Sequence, residues 1–469
     1  MQVFTYSSPR FSPYGDEDRS EASDAPPAGG AWRAPRASHP LQARLSLPGS
    51  KSLTNRELVL AALADGTSVL RRPLISRDSE LMIEALRSLG VEIERIDGDG
   101  GFGPDLRITP PDELSGSTTI DCGLAGTVMR FLPPLAALAL GPVAFDGDEA
   151  ARRRPMRATI EALRALGVDV NDDGRGALPF SLWGSGSVQG GELSIDASAS
   201  SQFVSGLLLA APRFERGLVL RHTGERLPSL PHIAMTIETL RRRGVQVDNP
   251  EPGLWAVHPG PIAATETDIE PDLSNAAPFL VAAIVAGGTV AIEDWPESTT
   301  QVGADLEHLL PRFGARVHRE GGTLVVDGGD GVCGGASFPG VDLDLSTGGE
   351  LAPALIALAA LASSPSTFRG IEHLRGHETN RLAALVAEIS AVGGEAVELE
   401  DGVAVTPATL HGGPWRAYED HRMATAGAIV GLAVDDVEID DIGTTAKTLP
   451  QFPELWQRML ATNGGDSTP

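Results

Sequence analysis

Lys51 and Lys447 are the only lysines among the 37 basic residues of this 469-residue chain, so arginine fills every other cationic position. Arginine keeps its proton near neutral pH, whereas the compact lysine ammonium can act as a point charge and can exchange a proton. The bias is explicable by genome composition alone, yet both lysines stand among small polar residues. Lys51 lies in Ser50-Lys51-Ser52 with Asn55-Arg56 close behind, and Lys447 lies in Thr445-Ala446-Lys447-Thr448. Comparable groups are Gly126-Thr127 with Arg130, Ser200-Ser201-Gln202, Asp272 with Ser274-Asn275, Glu350, and Asp420-His421-Arg422. Others are Arg77-Asp78, Arg152-Arg153-Arg154, Ser229, and the run from His373 through His377, Glu378 and Arg381. Taken singly, each has a plain reading. Ser, Thr and Asp at a helix start usually cap it, an arginine run is usually a solvated face, and His421 is as easily a satisfied buried histidine. Glu378 alone reads as a helix-start acid, and Cys122 as a small core residue.

The elements that must carry these residues change those odds, because the chain repeats one unit six times. Each copy opens with small polar residues and an apolar helix. A strand-like stretch, an irregular loop, an amphipathic helix ending in Gly and an alternating strand follow. Copies open at Ser50, Gly126, Ser201, Ser274, Gly349 and His421, and the second-helix glycines 90, 167, 244, 314 and 393 are spaced 77, 77, 70 and 79 residues apart. The first helix is apolar on nearly all sides, as in Leu207-Leu208-Leu209-Ala210-Ala211, and must be buried. The second helix carries one apolar stripe, Met82, Ala85, Leu86 and Leu89 in the first copy, and packs on a sheet. Three copies make a normal domain, with a boundary near Pro271-Asp272. The first forty residues are Ser-, Pro-, Asp- and Arg-rich and read as a disordered extension.

The candidate residues therefore gather at equivalent places, at the start of the buried helix or in the loop before the second one. Helix N-termini attract anions through free N–H groups and the dipole. Several such ends, beside Lys51, Arg56, Arg130, Arg154, Arg381, Arg422 and Lys447, predict a cationic pocket for a small, multiply anionic ligand. The formal net charge of −26 argues against nucleic-acid or anionic-membrane partners. Two cysteines, Cys122 and Cys333, lack metal-site spacing and suit a reduced, cytoplasmic protein. No apolar run is long enough to span a bilayer.

Six motifs resemble the 5-enolpyruvylshikimate-3-phosphate synthase family. They are Leu47-Pro48-Gly49-Ser50-Lys51-Ser52-Leu53-Thr54-Asn55-Arg56, Ala125-Gly126-Thr127-Val128-Met129-Arg130, Ser200-Ser201-Gln202-Phe203, Glu378-Thr379 with Arg381-Leu382, Asp420-His421-Arg422-Met423, and Thr445-Ala446-Lys447-Thr448. Their order and spacing span about 41 to 460. The resemblance implies an α/β fold of two domains, the inside-out α/β barrel of enolpyruvyl transferases, with six βαβαββ-type repeats, three per domain. It also implies that residues 41–49 join 271–469 in one domain, that 50–270 form the other, and that the active site lies in the cleft between them.

The family moves the enolpyruvyl group of phosphoenolpyruvate to the 5-hydroxyl of shikimate 3-phosphate, releasing phosphate, without metal or cofactor, and a monomer is the expectation for this chain. By resemblance, Lys51, Ser52, Arg56, Ser200, Ser201, Gln202, Ser229, Glu350, His373 and His377 are shikimate-phosphate ligands. Lys51, Gly126, Arg154, Gln202, Arg381, Arg422 and Lys447 hold phosphoenolpyruvate. Glu350 orients or deprotonates the 5-hydroxyl, Glu378 moves a proton at the methylene carbon, and Lys51 and Lys447 steady phosphate and shuttle protons with His421 nearby. This chain departs from common members at Leu124, usually Asn, at Glu350, usually Asp, and at Asn380, usually Asp. His373 stands for a usual Asn and His377 for a usual Lys, so His377 is expected to make substrate affinity more pH-dependent. The nearest rival, enolpyruvyl transfer to UDP-N-acetylglucosamine, uses a reactive Cys in the loop Asp148 to Pro155, which has none here. A non-catalytic anion binder would have lost Lys51, Glu378 or Lys447. An RNA-terminal phosphate enzyme of related repeat architecture is disfavoured by the charge.

Overall fold

Six apolar helices, one per repeat, form the interior: α1 (Lys51–Ala62), α2 (Gly126–Ala136), α3 (Gln202–Ala210), α4 (Leu273–Ala286), α5 (Ala352–Ala359) and α6 (His421–Gly431). The computed structural model describes residues 30–98 and 100–461. Every residue of α2, α4 and α5 is buried, as their lack of a polar face demands. Six separate sheets cover these helices. Among the described residues none closes into a barrel, and each corresponds to one repeat. The amphipathic helices stop at Gly90, Gly167, Gly244, Gly314 and Gly393, all at positive φ between 79° and 94°.

Three sheets take an outer strand from far along the chain, one of them that of the sixth repeat. Glu266–Asp268 pairs in parallel with Ser68–Arg71 of the first repeat, and Leu41–Leu45 pairs in parallel with Gly288–Ile292 of the fourth. Leu41–Leu45 alternates buried and exposed side chains, as a strand with one packed face requires. The chain passes between the two halves beside an isolated bridge from Gly49 to Pro271. Buried apolar side chains fall into two large clusters. One draws on 32–47 and 273–459, the other on 58–262.

Two expectations are corrected. The extension does not run to residue 40. Trp32–Arg33 forms a strand antiparallel to Val437–Ile439, and Trp32, Ala34 and Ala37 are buried. The sixth repeat supplies only Gly413–Trp415 and Val437–Ile439, so the N-terminal strand covers a sheet edge left open. Residues 1–29 lie outside the described residues. The fourth repeat's second helix is also broken into the short turns Val302–Asp305, Leu306–Leu309 and Leu310–Phe313. Pro311 lacks the N–H that would bond back along the helix, and its ring crowds the preceding turn. Among the described residues no helix is long and apolar enough to cross a membrane.

Candidate active site

The N-termini of the buried helices converge where the two halves meet. The Ser50 hydroxyl caps α1 by accepting from the Leu53 N–H at 3.5 Å. Asp272 caps α4, accepting from the Asn275 N–H at 3.0 Å, while its other oxygen accepts from the Lys51 N–H at 3.0 Å in the opposite half. Asp420 caps α6 through the Arg422 N–H at 2.9 Å and holds Arg381 in a fork, Nε at 2.7 Å and Nη2 at 3.1 Å. The cap reading of these residues is therefore correct, and the caps also tie charged groups together.

Between these ends lies a cavity of about 110 Å³. The structure brings fifteen of the seventeen sequence-predicted residues to its wall. Lys51, Ser52, Gly126 and Arg154 face it, with Ser200, Ser201, Gln202 and Ser229. From the other half come Glu350, His373, His377, Glu378, Arg381, His421 and Arg422. Two predicted residues are not on the wall. The Arg56 guanidinium is buried beneath it, with Nε donating to Thr236 Oγ1 at 2.8 Å, Nη1 to the Ser52 carbonyl at 2.8 Å and Nη2 to the His232 carbonyl at 2.9 Å. It braces two wall residues from below, so its predicted place as a direct ligand is not seen. Lys447 stands behind Glu378, donating to its Oε1 at 2.7 Å and to the Leu124 carbonyl of the opposite half at 3.1 Å.

Glu378 is clasped between cations, since Arg381 Nη2 donates to its second oxygen at 2.9 Å. Burial would raise its pKa, but Lys447, Arg381, Arg154 and His421 together hold it well below the usual carboxylate range. Glu350 accepts from the Ser274 hydroxyl, and its other oxygen lies 3.5 Å from His232 Nε2 and 3.9 Å from Arg422 Nη2. Burial again opposes ionisation, and His232, Arg422 and Ser274 outweigh it.

Opposite these acids is a positive wall. A Cβ on Gly126 would stand 2.9 Å from Gln202 Oε1, 3.0 Å from Arg154 Nη2 and 3.1 Å from Arg130 Nη1, so three polar groups converge on a position only glycine leaves open. The Nε atoms of Arg130 and Arg154 are buried without a partner, as is His421 Nδ1. Burial first, and Arg154 second, push the Arg130 guanidinium down from its ordinary value. Two unpaired cations in so dry a place favour an anion between them. Lys51 lines the cavity, with its Nζ 3.4 Å from the buried Asp78.

Two histidines on the wall are shifted. Burial, then Arg381, pushes His373 down to about 4. Burial and the Arg381 guanidinium, 3.1 Å from Nδ1, hold His377 well below its usual value in the chain without substrate. His232 escaped the sequence reading. Its signal was only its offset of three residues from Ser229, at the start of an amphipathic helix, Leu230–Arg242. Among the described residues no cluster of metal-binding side chains is present.

Solved structures share this architecture. EPSP synthase from Acinetobacter baumannii, at 2.37 Å resolution, matches with a TM-score of 0.73 and 23% identity, over 92% of this chain and 98% of its own. The enolpyruvyl transferase NikO from Streptomyces tendae matches with a TM-score of 0.71 and 16% identity, again over 92% and 98%. The six-repeat architecture is thus the enolpyruvyl-transferase fold. In sequence, the profile of EPSP synthase (3-phosphoshikimate 1-carboxyvinyltransferase) matches residues 35–456. The 3-phosphoshikimate 1-carboxyvinyltransferase of Kocuria rhizophila is 55% identical over 438 residues, 92% of this chain and 97% of that one. The chain belongs to the EPSP synthase family.

Proposed function

We propose that this chain transfers the enolpyruvyl group of phosphoenolpyruvate to the 5-hydroxyl of shikimate 3-phosphate, releasing phosphate, in the cleft between its two halves. The observation that carries this reading is one cavity lined by two carboxylates, Glu350 and Glu378, together with cations from both halves. The Arg130, Arg154, Arg381 and Lys447 cluster suits the phosphate and carboxylate of phosphoenolpyruvate. Ser52, Ser200, Ser201, Gln202 and Ser229, with His373 and His377, suit the hydroxyls and phosphate of the acceptor.

The chemistry follows from the charges. Glu378 is an anion while its cations are free, and an anion cannot protonate carbon. Binding phosphoenolpyruvate neutralises Arg381, Arg154 and Lys447, which weakens the attractions holding the Glu378 proton off. Glu378 then takes up a proton from water in the cleft and passes it to the methylene carbon, carbon 2 becomes electrophilic, and the 5-oxygen bonds to it as Glu350 takes the hydroxyl proton. From the tetrahedral intermediate, Glu378 removes a proton from the new methyl group and the carbon–oxygen bond to phosphate breaks. Lys51 and Lys447 balance the departing phosphate.

In the same reading, residues 41–49 with 271–469 and residues 50–270 are two domains that the bound anions draw together, excluding water. The chain works as a monomer in the cytoplasm on two small-molecule substrates, with no nucleic acid, membrane or cofactor. The test is phosphate release with each acceptor. Release is expected only with phosphoenolpyruvate and shikimate 3-phosphate together. Equal release with UDP-N-acetylglucosamine would sink the reading.

A further inference from the structure

His232 is held in place more firmly than a surface residue at a helix start needs. Ser229, just before its helix, adopts a left-handed φ of 54°. The His232 N–H donates to the Ser229 carbonyl at 3.0 Å. Its carbonyl accepts from the buried Arg56 guanidinium at 2.9 Å and from Thr236 Oγ1 at 3.0 Å. The backbone is therefore locked from below, and the imidazole points out of one half toward the other. It stops with Nε2 3.5 Å from Glu350 Oε2.

That pair crosses the cleft. Among the described residues two other ion pairs join the halves, Arg72 with Asp294 and Arg226 with Glu372, and their side chains are a third or more exposed. Only His232 and Glu350 meet in the cavity itself, each about one-fifth exposed. The other oxygen of Glu350 is already fixed by Ser274 from its own half. The carboxylate is thus gripped on both oxygens, one grip from each side of the cleft. The remaining titratable or charged groups facing His232 are His373 across the cleft, Arg422 beyond Glu350 and Arg56 beneath.

We propose that His232 is a positioning residue for Glu350, delivered across the cleft on closure, which keeps that carboxylate aimed at the acceptor hydroxyl. The inference rests on the reading of Glu350 as the group that takes the hydroxyl proton. The hydroxyl proton moves to Glu350 as the oxygen–carbon bond forms. The carboxylate is aimed from both sides only when the halves are together, since an open cleft withdraws the imidazole.

The test is steady-state phosphate release by the full chain, with kcat and KM for shikimate 3-phosphate read separately for wild type, His232→Gln, His232→Phe, Glu350→Gln and the double variant His232→Phe/Glu350→Gln. His232→Phe removes the grip and is expected to lower kcat at least about tenfold with KM for shikimate 3-phosphate changed less than about threefold. His232→Gln keeps a donor and is expected to recover most of that kcat. Glu350→Gln is expected to lose most activity, and adding His232→Phe to it is expected to cost little more. A raised KM with unchanged kcat in His232→Phe overturns the role, making His232 a substrate ligand only. Unchanged kcat and KM in both His232 variants, with Glu350→Gln inactive, also overturns the role of His232 alone. A largely active Glu350→Gln overturns the reading beneath it.

Discussion

Replacing Lys447 with Met tests the clasp on Glu378. Methionine follows the lysine side chain as far as Cε, so it leaves the apolar stem in place but removes the ammonium. At 2.7 Å the gross attraction between Lys447 and Glu378 is about 6 kcal/mol for an effective dielectric of about 20. Most of that is offset by the cost of burying both charges. Glu378 keeps Arg381 at 2.9 Å, and the Leu124 carbonyl keeps Arg154 at 3.1 Å, so neither is orphaned. A lost charged hydrogen bond with partial compensation is worth about 2 kcal/mol. That predicts a fall of about 30-fold in kcat/KM for phosphoenolpyruvate. Because part of the role of Lys447 is its contact with Glu378, the double variant Lys447→Met/Glu378→Gln is expected to lose less than the product of the single losses. The assay is steady-state phosphate release at saturating shikimate 3-phosphate with phosphoenolpyruvate varied. A loss under threefold for Lys447→Met, or fully multiplicative losses, would refute the reasoning.

Three further outcomes are expected. Lys51→Arg keeps the charge but brings a wider, non-titrating fork to a place now beside Asp78, so turnover is expected to drop at least about tenfold, and near-normal kcat would contradict the point-charge argument. Gly126→Ala puts a methyl group 2.9 to 3.1 Å from Gln202, Arg154 and Arg130; KM for phosphoenolpyruvate is expected to rise about tenfold with little change in thermal stability, and an unchanged KM would show that the convergence there is not the anion site. His373 is pushed down to about 4 in the folded chain, below its ordinary value near 6.5, so the stability its neutral form contributes is present above about pH 6.5 and is lost as pH falls toward 4. Denaturation of His373→Asn is therefore expected to fall less steeply over that window, by up to one proton, about 1.4 kcal/mol per pH unit, and identical slopes would refute it.

The repeats were legible because each copy spells the same physical instruction, an all-apolar helix that must be buried and a striped helix closed by glycine. The site was legible because residues useless to a buried helix recur at its start. What escaped depends on partners distant in sequence. Nothing near Trp32 announces a sheet edge more than four hundred residues later, and a short Ser-Pro-Arg-rich context hides one buried tryptophan. Pro311 was visible, but the strength of the surrounding repeat masked its effect on the helix. Arg56 sits in a motif beside Lys51, and sequence alone does not say which of two neighbouring cations faces the cavity and which braces it. His232 gains meaning only from Glu350, 118 residues on and across the cleft. His377 shows a titratable residue type in the sequence, but not the burial beside Arg381 that pushes it down in the chain without substrate.

The central claim is that two anionic substrates meet between these halves and that one gives its three-carbon unit to the other. Phosphorus NMR of the reaction mixture reads this directly. With phosphoenolpyruvate and shikimate 3-phosphate, the account predicts that the phosphoenolpyruvate signal is replaced by inorganic phosphate while the acceptor's monoester signal shifts to a new position in equal amount. Inorganic phosphate appearing with the acceptor signal unmoved, or no change unless a different acceptor is supplied, would contradict it.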